Sequence, residues 1–245
     1  MSKPFISVII PAKGDFENLP LSLLDINYFL EKKFEEPHEI MVIDSGLEDE
    51  CRTTMSKFEE KMKNFKLLTN SVNEGTGRSI KMGMLTSSGS WKAILGGDEG
   101  EKINSLSYMI PFMKPSPRAD ILIGTTPLKN VVKEAPHYLP IKFLQIAYNF
   151  FIKILFRARI EDSWSDVRCF SENSAEKIFS MLKFDSNIYG LESLVLADRM
   201  GLRIRYVDIP LDKESAMFSL KNYLQMITGA IRMRWWLFRK KYALN

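Results

Sequence analysis

The chain has 245 residues, of which 45% are hydrophobic and 26% charged, a balance that supports a packed core and excludes intrinsic disorder. Two cysteines (Cys51, Cys169) and two histidines (His38, His137) are too few for a disulfide framework, a multi-cysteine zinc site or a His-rich metal centre. The net charge is only +4, yet residues 216–245 hold six basic residues (Lys221, Arg232, Arg234, Arg239, Lys240, Lys241) and no acidic one, so the rest of the chain is net negative.

Residues 5–10 form a β-branched run stopped by Pro11, the pattern of a buried strand. Helical periodicity covers 18–34. A second buried strand, 39–43, runs into the turn Asp44-Ser45-Gly46, followed by a polar amphipathic helix over 48–64 and a short strand over 65–69. Residues 75–86 predict a helix entered through glycines. Residues 91–95 predict a strand ending at Gly96-Gly97-Asp98-Glu99-Gly100, then come a helix near 103–113 and a strand at 119–124. Residues 139–156 predict a helix whose uncharged run, 143–152, is too short to span a bilayer yet apolar on nearly every face. Such a helix lies either in the core or in a bilayer surface. A segment near 166–170, helices near 174–182 and 188–200, a strand at 203–208 and a last helix within 216–245 complete the chain. Alternating strands and helices predict an α/β fold: a Rossmann-like, mostly parallel sheet with helices on both faces. Ligands of such sheets sit at the carboxyl ends of the strands. Pro11-Ala12-Lys13, Asp44-Ser45-Gly46 and Gly97-Asp98-Glu99 fall there.

The first turn lacks a glycine-rich dinucleotide fingerprint, and no Walker lysine loop occurs. Asn73-Glu74-Gly75-Thr76-Gly77-Arg78 is either a flexible helix entry or a backbone wall beside a bound phosphate or sugar. Asp44 either caps its turn or accepts hydrogen bonds from a base or ribose. Asp98, Glu99 and Glu101 crowd carboxylates at a strand end, where Mg²⁺ or Mn²⁺ would neutralise them; an exposed acidic loop is the plainer reading. Cations beside Trp235, Trp236, Phe238 and Tyr242 suit an interfacial membrane helix, a helix packed on the core with a solvated basic side, or less often a nucleic-acid patch. No recognisable nucleic-acid-binding fold accompanies them, so no nucleic-acid partner is expected. With no apolar leader after Met1-Ser2-Lys3-Pro4 and no disulfide framework, the expected location is cytoplasmic, peripheral on the cytoplasmic face of a membrane.

In their order along the chain these pieces resemble the family 2 glycosyltransferases of the GT-A fold, and among them the polyprenyl-phosphate (dolichyl-phosphate) glucosyl- and mannosyltransferases. Ser7-Val8-Ile9-Ile10-Pro11-Ala12 is similar to that family's opening strand, and residues 39–46 to its strand ending in an Asp-rich turn. Residues 73–85 resemble its glycine loop and helix, and Asp120-Ile121-Leu122-Ile123-Gly124 the strand after its metal site. Ile160-Glu161-Asp162-Ser163 with Arg168 and Phe170 parallels its Asp-Thr-Gln-Cys-Gly-Phe-Lys-Leu-Phe block. Tyr189-Gly190-Leu191-Glu192 resembles its Phe-Asp-Val-Glu helix.

The resemblance implies a GT-A domain over 1–215, with a nucleotide-sugar half (1–125) and an acceptor half (126–215), and a basic aromatic helix in 216–245. It implies that Pro11, Ala12, Asp44, Gly75, Gly77, Arg78 and Asp98 line the nucleotide-sugar pocket. Asp98 and Glu99, at or next to the family's Asp-x-Asp, would hold Mg²⁺ or Mn²⁺. These two would be catalytic together with Asp162 and Glu192, near the sugar and acceptor. Lys129 and Arg168 would meet the acceptor phosphate. Arg232, Arg234, Trp235, Trp236 and Arg239 would meet the membrane. The implied activity is inverting, metal-assisted transfer of a hexose from a UDP- or GDP-sugar to a polyprenyl phosphate or other lipid acceptor. A second reading starts from Gly97, which stands where the family carries its first Asp: a GT-A domain serving as a binding or scaffold subunit.

Overall fold

The computed structural model describes residues 3–14, 19–34, 36–70, 75–95, 100–113, 119–134, 139–165, 167–210 and 220–242. Its centre is a seven-stranded sheet in the order β3-β2-β1-β4-β6-β5-β7. The strands are β1 (Ile6–Gly14), β2 (His38–Leu47), β3 (Phe65–Thr69), β4 (Trp91–Ile94), β5 (Ile121–Thr125), β6 (Arg168–Ser171) and β7 (Ile204–Asp208). All neighbours run parallel except β6, which lies antiparallel between β4 and β5. The mostly parallel sheet expected from the sequence is present; the reversed strand is an addition to it.

Two-residue alternation sorts the side chains of β1 onto the two faces. Ile6, Val8, Ile10 and Ala12 join one core. It includes Leu19, Leu23 and Ile26 of α1 (Leu19–Phe29), Met55 of α2 (Asp49–Lys61) and Leu106 and Met109 of the short α4 (Leu106–Met109). Ile9 joins the other. There it meets Ile80 and Met84 of α3 (Thr76–Thr86), and the same cluster takes in buried side chains of α6 (Leu139–Phe156), α7 (Glu172–Met181), α8 (Tyr189–Arg199) and α9 (Leu220–Phe238). Helices thus cover both faces, and each fully buried Ile or Val of β1 contributes about 1.5–3 kcal/mol of burial free energy.

Three differences from the sequence expectation have local causes. β1 does not stop at Pro11 but runs to Gly14. Ile9 accepts a hydrogen bond from Leu95 on the β4 side, and Pro11, two residues on, faces that same side beyond the last β4 pair, Ile9 with Ile94. The missing N–H therefore costs the ladder nothing. The helix expected at 103–113 is broken into 3₁₀ turns, Gly100–Ser105 and Ile110–Phe112, around α4, which ends where Pro111 cannot continue an α-helix. A short helix, α5 (Leu128–Glu134), follows β5 in addition to the elements expected from the sequence.

Candidate active site at the carboxyl edge of the sheet

β1 and β2 end side by side, their parallel register setting Pro11 beside Ile43 and Ala12 beside Asp44. A register shift after Ala12 brings the last pair, Gly14 with Leu47, together, and Gly14 and Gly46 adopt φ of +81° and +120° there, backbone regions that L side chains avoid. Asp44 is fully buried. Its Oδ1 accepts the N–H groups of Gly46 (2.8 Å) and Leu47 (2.7 Å), and its Oδ2 accepts Nε of Arg52 on α2 (2.7 Å). Burial opposes its charge, but Arg52 and the two N–H donors outweigh burial and hold the carboxyl below its ordinary range. Of the two roles open to Asp44 from sequence, capping its turn is the one the geometry displays.

The next residue fastens α3 to this edge. Ser45 and Ser79 share a hydrogen bond between their hydroxyls, and Asn70 donates to Ser79 (3.3 Å). Gly75 and Gly77, at the start of α3, face the backbone of residues 184–186. A Cβ on Gly77 would stand 2.6 Å from the Phe184 carbonyl oxygen, one on Gly75 would strike that of Asp185, and the Gly77 N–H donates to Asp185 (2.9 Å). The glycines are therefore where they are so that two stretches of backbone can touch. Arg78 projects outward, exposed.

On the other side of the edge, Asp162 is nearly buried. It accepts the Thr125 hydroxyl at the end of β5 (2.9 Å) and the Trp164 N–H (2.9 Å). Lys129, in the first turn of α5, is exposed. Asp98 and Glu99 lie outside the described residues, in the segment that follows β4. Among the described residues no group of three or more His, Cys, Asp or Glu is gathered so as to hold a metal ion.

Three sequence expectations are corrected by burial. Glu192 has no exposed surface, so it does not face a substrate; its oxygens accept the N–H groups of Lys183 (2.9 Å) and Phe184 (3.0 Å) and the Tyr242 hydroxyl (2.5 Å). Arg168 is also buried. It does not reach out to an acceptor phosphate but spends its guanidinium on the carbonyls of Ser165 (2.7 Å), Gly190 (2.6 Å) and Ser163 (2.8 Å). Trp236 belongs to the core, stacked on Phe184 with centroids 4.7 Å apart under the Arg232 guanidinium. Its neighbour Trp235 is 48% exposed, with Arg239 and Lys241 over its ring, and Arg234 is exposed beside it.

Arg52 and Thr125 have no role in the sequence reading and Tyr242 enters it only among the aromatics of the basic tail, although each completes a candidate residue. Arg52 was the most accessible of them: it lies eight residues after Asp44, in the first turn of a predicted helix.

α6 and α9 pack together. Of the 18 residues of α6 only Tyr148, Asn149, Ile152 and Phe156 are buried, so it is not a core helix. Phe143, Ile146, Phe150 and Ile154 of α6 and Leu224, Ile231, Trp235 and Phe238 of α9 are exposed. By length and composition alone, α6 also satisfies the minimum for crossing a membrane, at 18 residues with mean hydropathy 1.4.

Residues 7–179 match the pattern of Glycosyl transferase family 2, and the chain belongs to that family. It is 24% identical over 241 residues to a dolichyl-phosphate beta-glucosyltransferase of Dictyostelium discoideum, covering 94% of this chain and 74% of that protein. It is 22% identical to the Saccharomyces cerevisiae protein of the same description, covering 84% of this chain and 66% of the relative. Among solved structures it resembles glucosyl-3-phosphoglycerate synthase from Mycobacterium tuberculosis, solved with Mn²⁺, UDP and glucosyl-3-phosphoglycerate. There the TM-score is 0.62 at 15% identity, over 94% of this chain and 80% of that one. It also resembles mannosyltransferase PcManGT from Pyrobaculum calidifontis, solved with GDP-Man and Mn²⁺, with TM-score 0.52 at 12% identity, over 87% and 59%. The fold is GT-A and the protein is a glycosyltransferase.

Proposed function

We propose that this glycosyltransferase moves a hexose from a nucleoside-diphosphate sugar to a polyprenyl phosphate, working peripherally on a membrane surface. The observation that carries the reading is the exposed apolar face of α6 and α9, set on a GT-A domain and bordered by Lys153, Arg234 and Arg239. Apolar side chains with cations at their margin suit a bilayer with anionic headgroups, where a lipid acceptor keeps its tail. The relatives' names support the same acceptor and make glucose the first sugar to test.

In the reaction, an anionic phosphate oxygen of the acceptor attacks the anomeric carbon while the bond from that carbon to the donor diphosphate breaks, inverting the centre. The nucleophile carries its charge at neutral pH, so positioning and charge stabilisation supply the catalysis. The edge of the sheet at Pro11, with Arg78 at the start of α3, receives the nucleotide; Ala12 beside it is a core side chain. Asp162 faces the sugar, held by Thr125, and Lys129 attracts the acceptor phosphate. The carboxylates of Asp98 and Glu99 have the oxygen chemistry that Mg²⁺ or Mn²⁺ prefers, and that ion when bound would neutralise the departing diphosphate.

Calorimetric titration with UDP- and GDP-sugars, with and without Mn²⁺, tests the donor. Transfer of labelled hexose into polyprenyl phosphate in anionic vesicles tests the acceptor. Metal-dependent binding of one donor with label entering the lipid is the expected result. No binding of any donor overturns it and favours the binding or scaffold subunit.

A further inference from the structure

The segment 182–188 is held from two sides. On one, α9 and the residues after it grip it: Trp236 stacks on Phe184, and Gly229 of α9 meets Ile188 so closely that a Cβ there would overlap it. Glu192 accepts the Lys183 and Phe184 N–H groups while receiving the Tyr242 hydroxyl at 2.5 Å, and the Lys183 ammonium sits 5.8 Å above the Tyr242 ring. On the other side, the start of α3 grips it. Gly77 donates to Asp185, the two glycine Cα atoms abut the 184–186 backbone, and Lys81 donates to the Leu182 carbonyl (2.9 Å). The first turn of α3 is in turn joined through Ser79 to Ser45, next to Asp44. A continuous run of hydrogen bonds and close backbone contact therefore leads from Tyr242, after α9, to the edge of the sheet.

From this we infer that Tyr242 is a positioning residue for the donor pocket: through Glu192 and the 183–186 turn it holds the start of α3 in the arrangement that receives the nucleotide. The inference rests on the donor pocket proposed above. The physical basis is that Glu192 is fully buried and bonded to three donors, so the turn has one hydrogen-bonded arrangement. Removing the Tyr242 hydroxyl takes away the one donor from outside that turn and lets the carboxylate and the two N–H groups adjust together. Gly75 and Gly77 have no side chains to absorb such a shift. A movement of the 184–186 carbonyls passes directly to the Gly77 N–H and to the backbone of α3.

The test is Tyr242→Phe, which keeps the ring and removes one oxygen, in the full chain. Two readouts are taken: amide hydrogen exchange resolved at Lys183, Phe184 and Gly77, and donor KM against kcat. Faster exchange at all three amides, with the donor KM raised about five- to tenfold and kcat within about twofold, is expected from the loss of one buried hydrogen bond. Faster exchange at Lys183 and Phe184 with Gly77 and the donor KM unchanged would show a purely structural contact and overturn the inference. If wild-type protein binds no UDP- or GDP-sugar, the pocket reading fails by itself. The coupling is then judged on Gly77 alone, upheld by faster exchange in Tyr242→Phe and overturned by unchanged exchange.

Discussion

Asp44 and Arg52 tie the end of β2 to α2 with an ion pair of 2.7 Å, buried on the acid's side and open to solvent on the guanidinium's. Because this pair and two N–H groups hold the carboxyl below its ordinary range, its stabilising effect is complete above an unfolded carboxyl pKa of about 4. It is lost as pH falls through the lower folded value. Urea midpoints for wild type should therefore fall more steeply below about pH 4 than those of Asp44→Asn. At neutral pH, Asp44→Ala strands the Gly46 and Leu47 N–H groups and should cost about 2–3 kcal/mol. Equal acid dependence in wild type and Asp44→Asn would refute the assignment.

Glu192 behaves in the opposite sense. Burial raises its pKa, and the Tyr242, Phe184 and Lys183 donors only partly offset this. The stability contributed by the protonated form is full below about pH 4 and is lost as pH rises through the raised folded value. As pH rises above about 4, wild type should lose stability relative to Glu192→Gln by about the linkage of one carboxyl. Glu192→Ala, which leaves three donors without an acceptor, should lose at least about 3 kcal/mol. A soluble, stable Glu192→Ala with altered kcat alone would restore the catalytic role that burial denies it.

The adjacent tryptophans of α9 should separate completely. Trp236→Ala removes a stacked core side chain and should cost about 3–5 kcal/mol. Trp235→Ala with Phe238→Ala should leave the melting temperature nearly unchanged but weaken flotation with anionic vesicles. Flotation unaffected by that pair, and by Phe150→Ser with Ile154→Ser on α6, would remove the surface from the proposal.

Asp98→Asn and Glu99→Gln should each lower turnover by at least about 100-fold with unaltered circular dichroism, if they hold the ion that neutralises the diphosphate. Full activity in both and in the double variant would exclude them as metal ligands.

A methyl group on Gly77 would meet the carbonyl oxygens of Phe184 and Ser186 at 2.6 and 2.8 Å, neither of which is the end of a flexible side chain. Gly77→Ala should cost about 1–3 kcal/mol through displacement of that turn. It should also weaken donor binding, measured in the same titrations. A variant as stable as wild type would mean that the turn moves freely.

Much of the fold was legible because it is written in local periodicity. The strand Phe65–Thr69 and the helix Leu139–Phe156 have the expected bounds, and the apolar runs within 5–10 and 39–43 already implied strands covered on both faces. The candidate site was legible as a place, the carboxyl edge, more than as a set of roles. Pro11 and Asp162 stand at that edge, whereas Ala12 is a core side chain and Asp44, Glu192 and Arg168 are internal ties.

By itself, then, the sequence determined the α/β class, the family and the order of the elements other than α5 and β6, since hydrophobic period, turn residues and ordered motifs are properties of neighbours along the chain. Only the tertiary structure decided the reversed direction of β6, which of two adjacent tryptophans faces outward, and which acids are already satisfied. Those depend on partners far away in sequence, such as Tyr242 for Glu192 at a separation of 50 residues and Gly190 for Arg168 at 22. A carboxylate or guanidinium carries the same chemistry in either role, and burial with its hydrogen-bond partners selects between them.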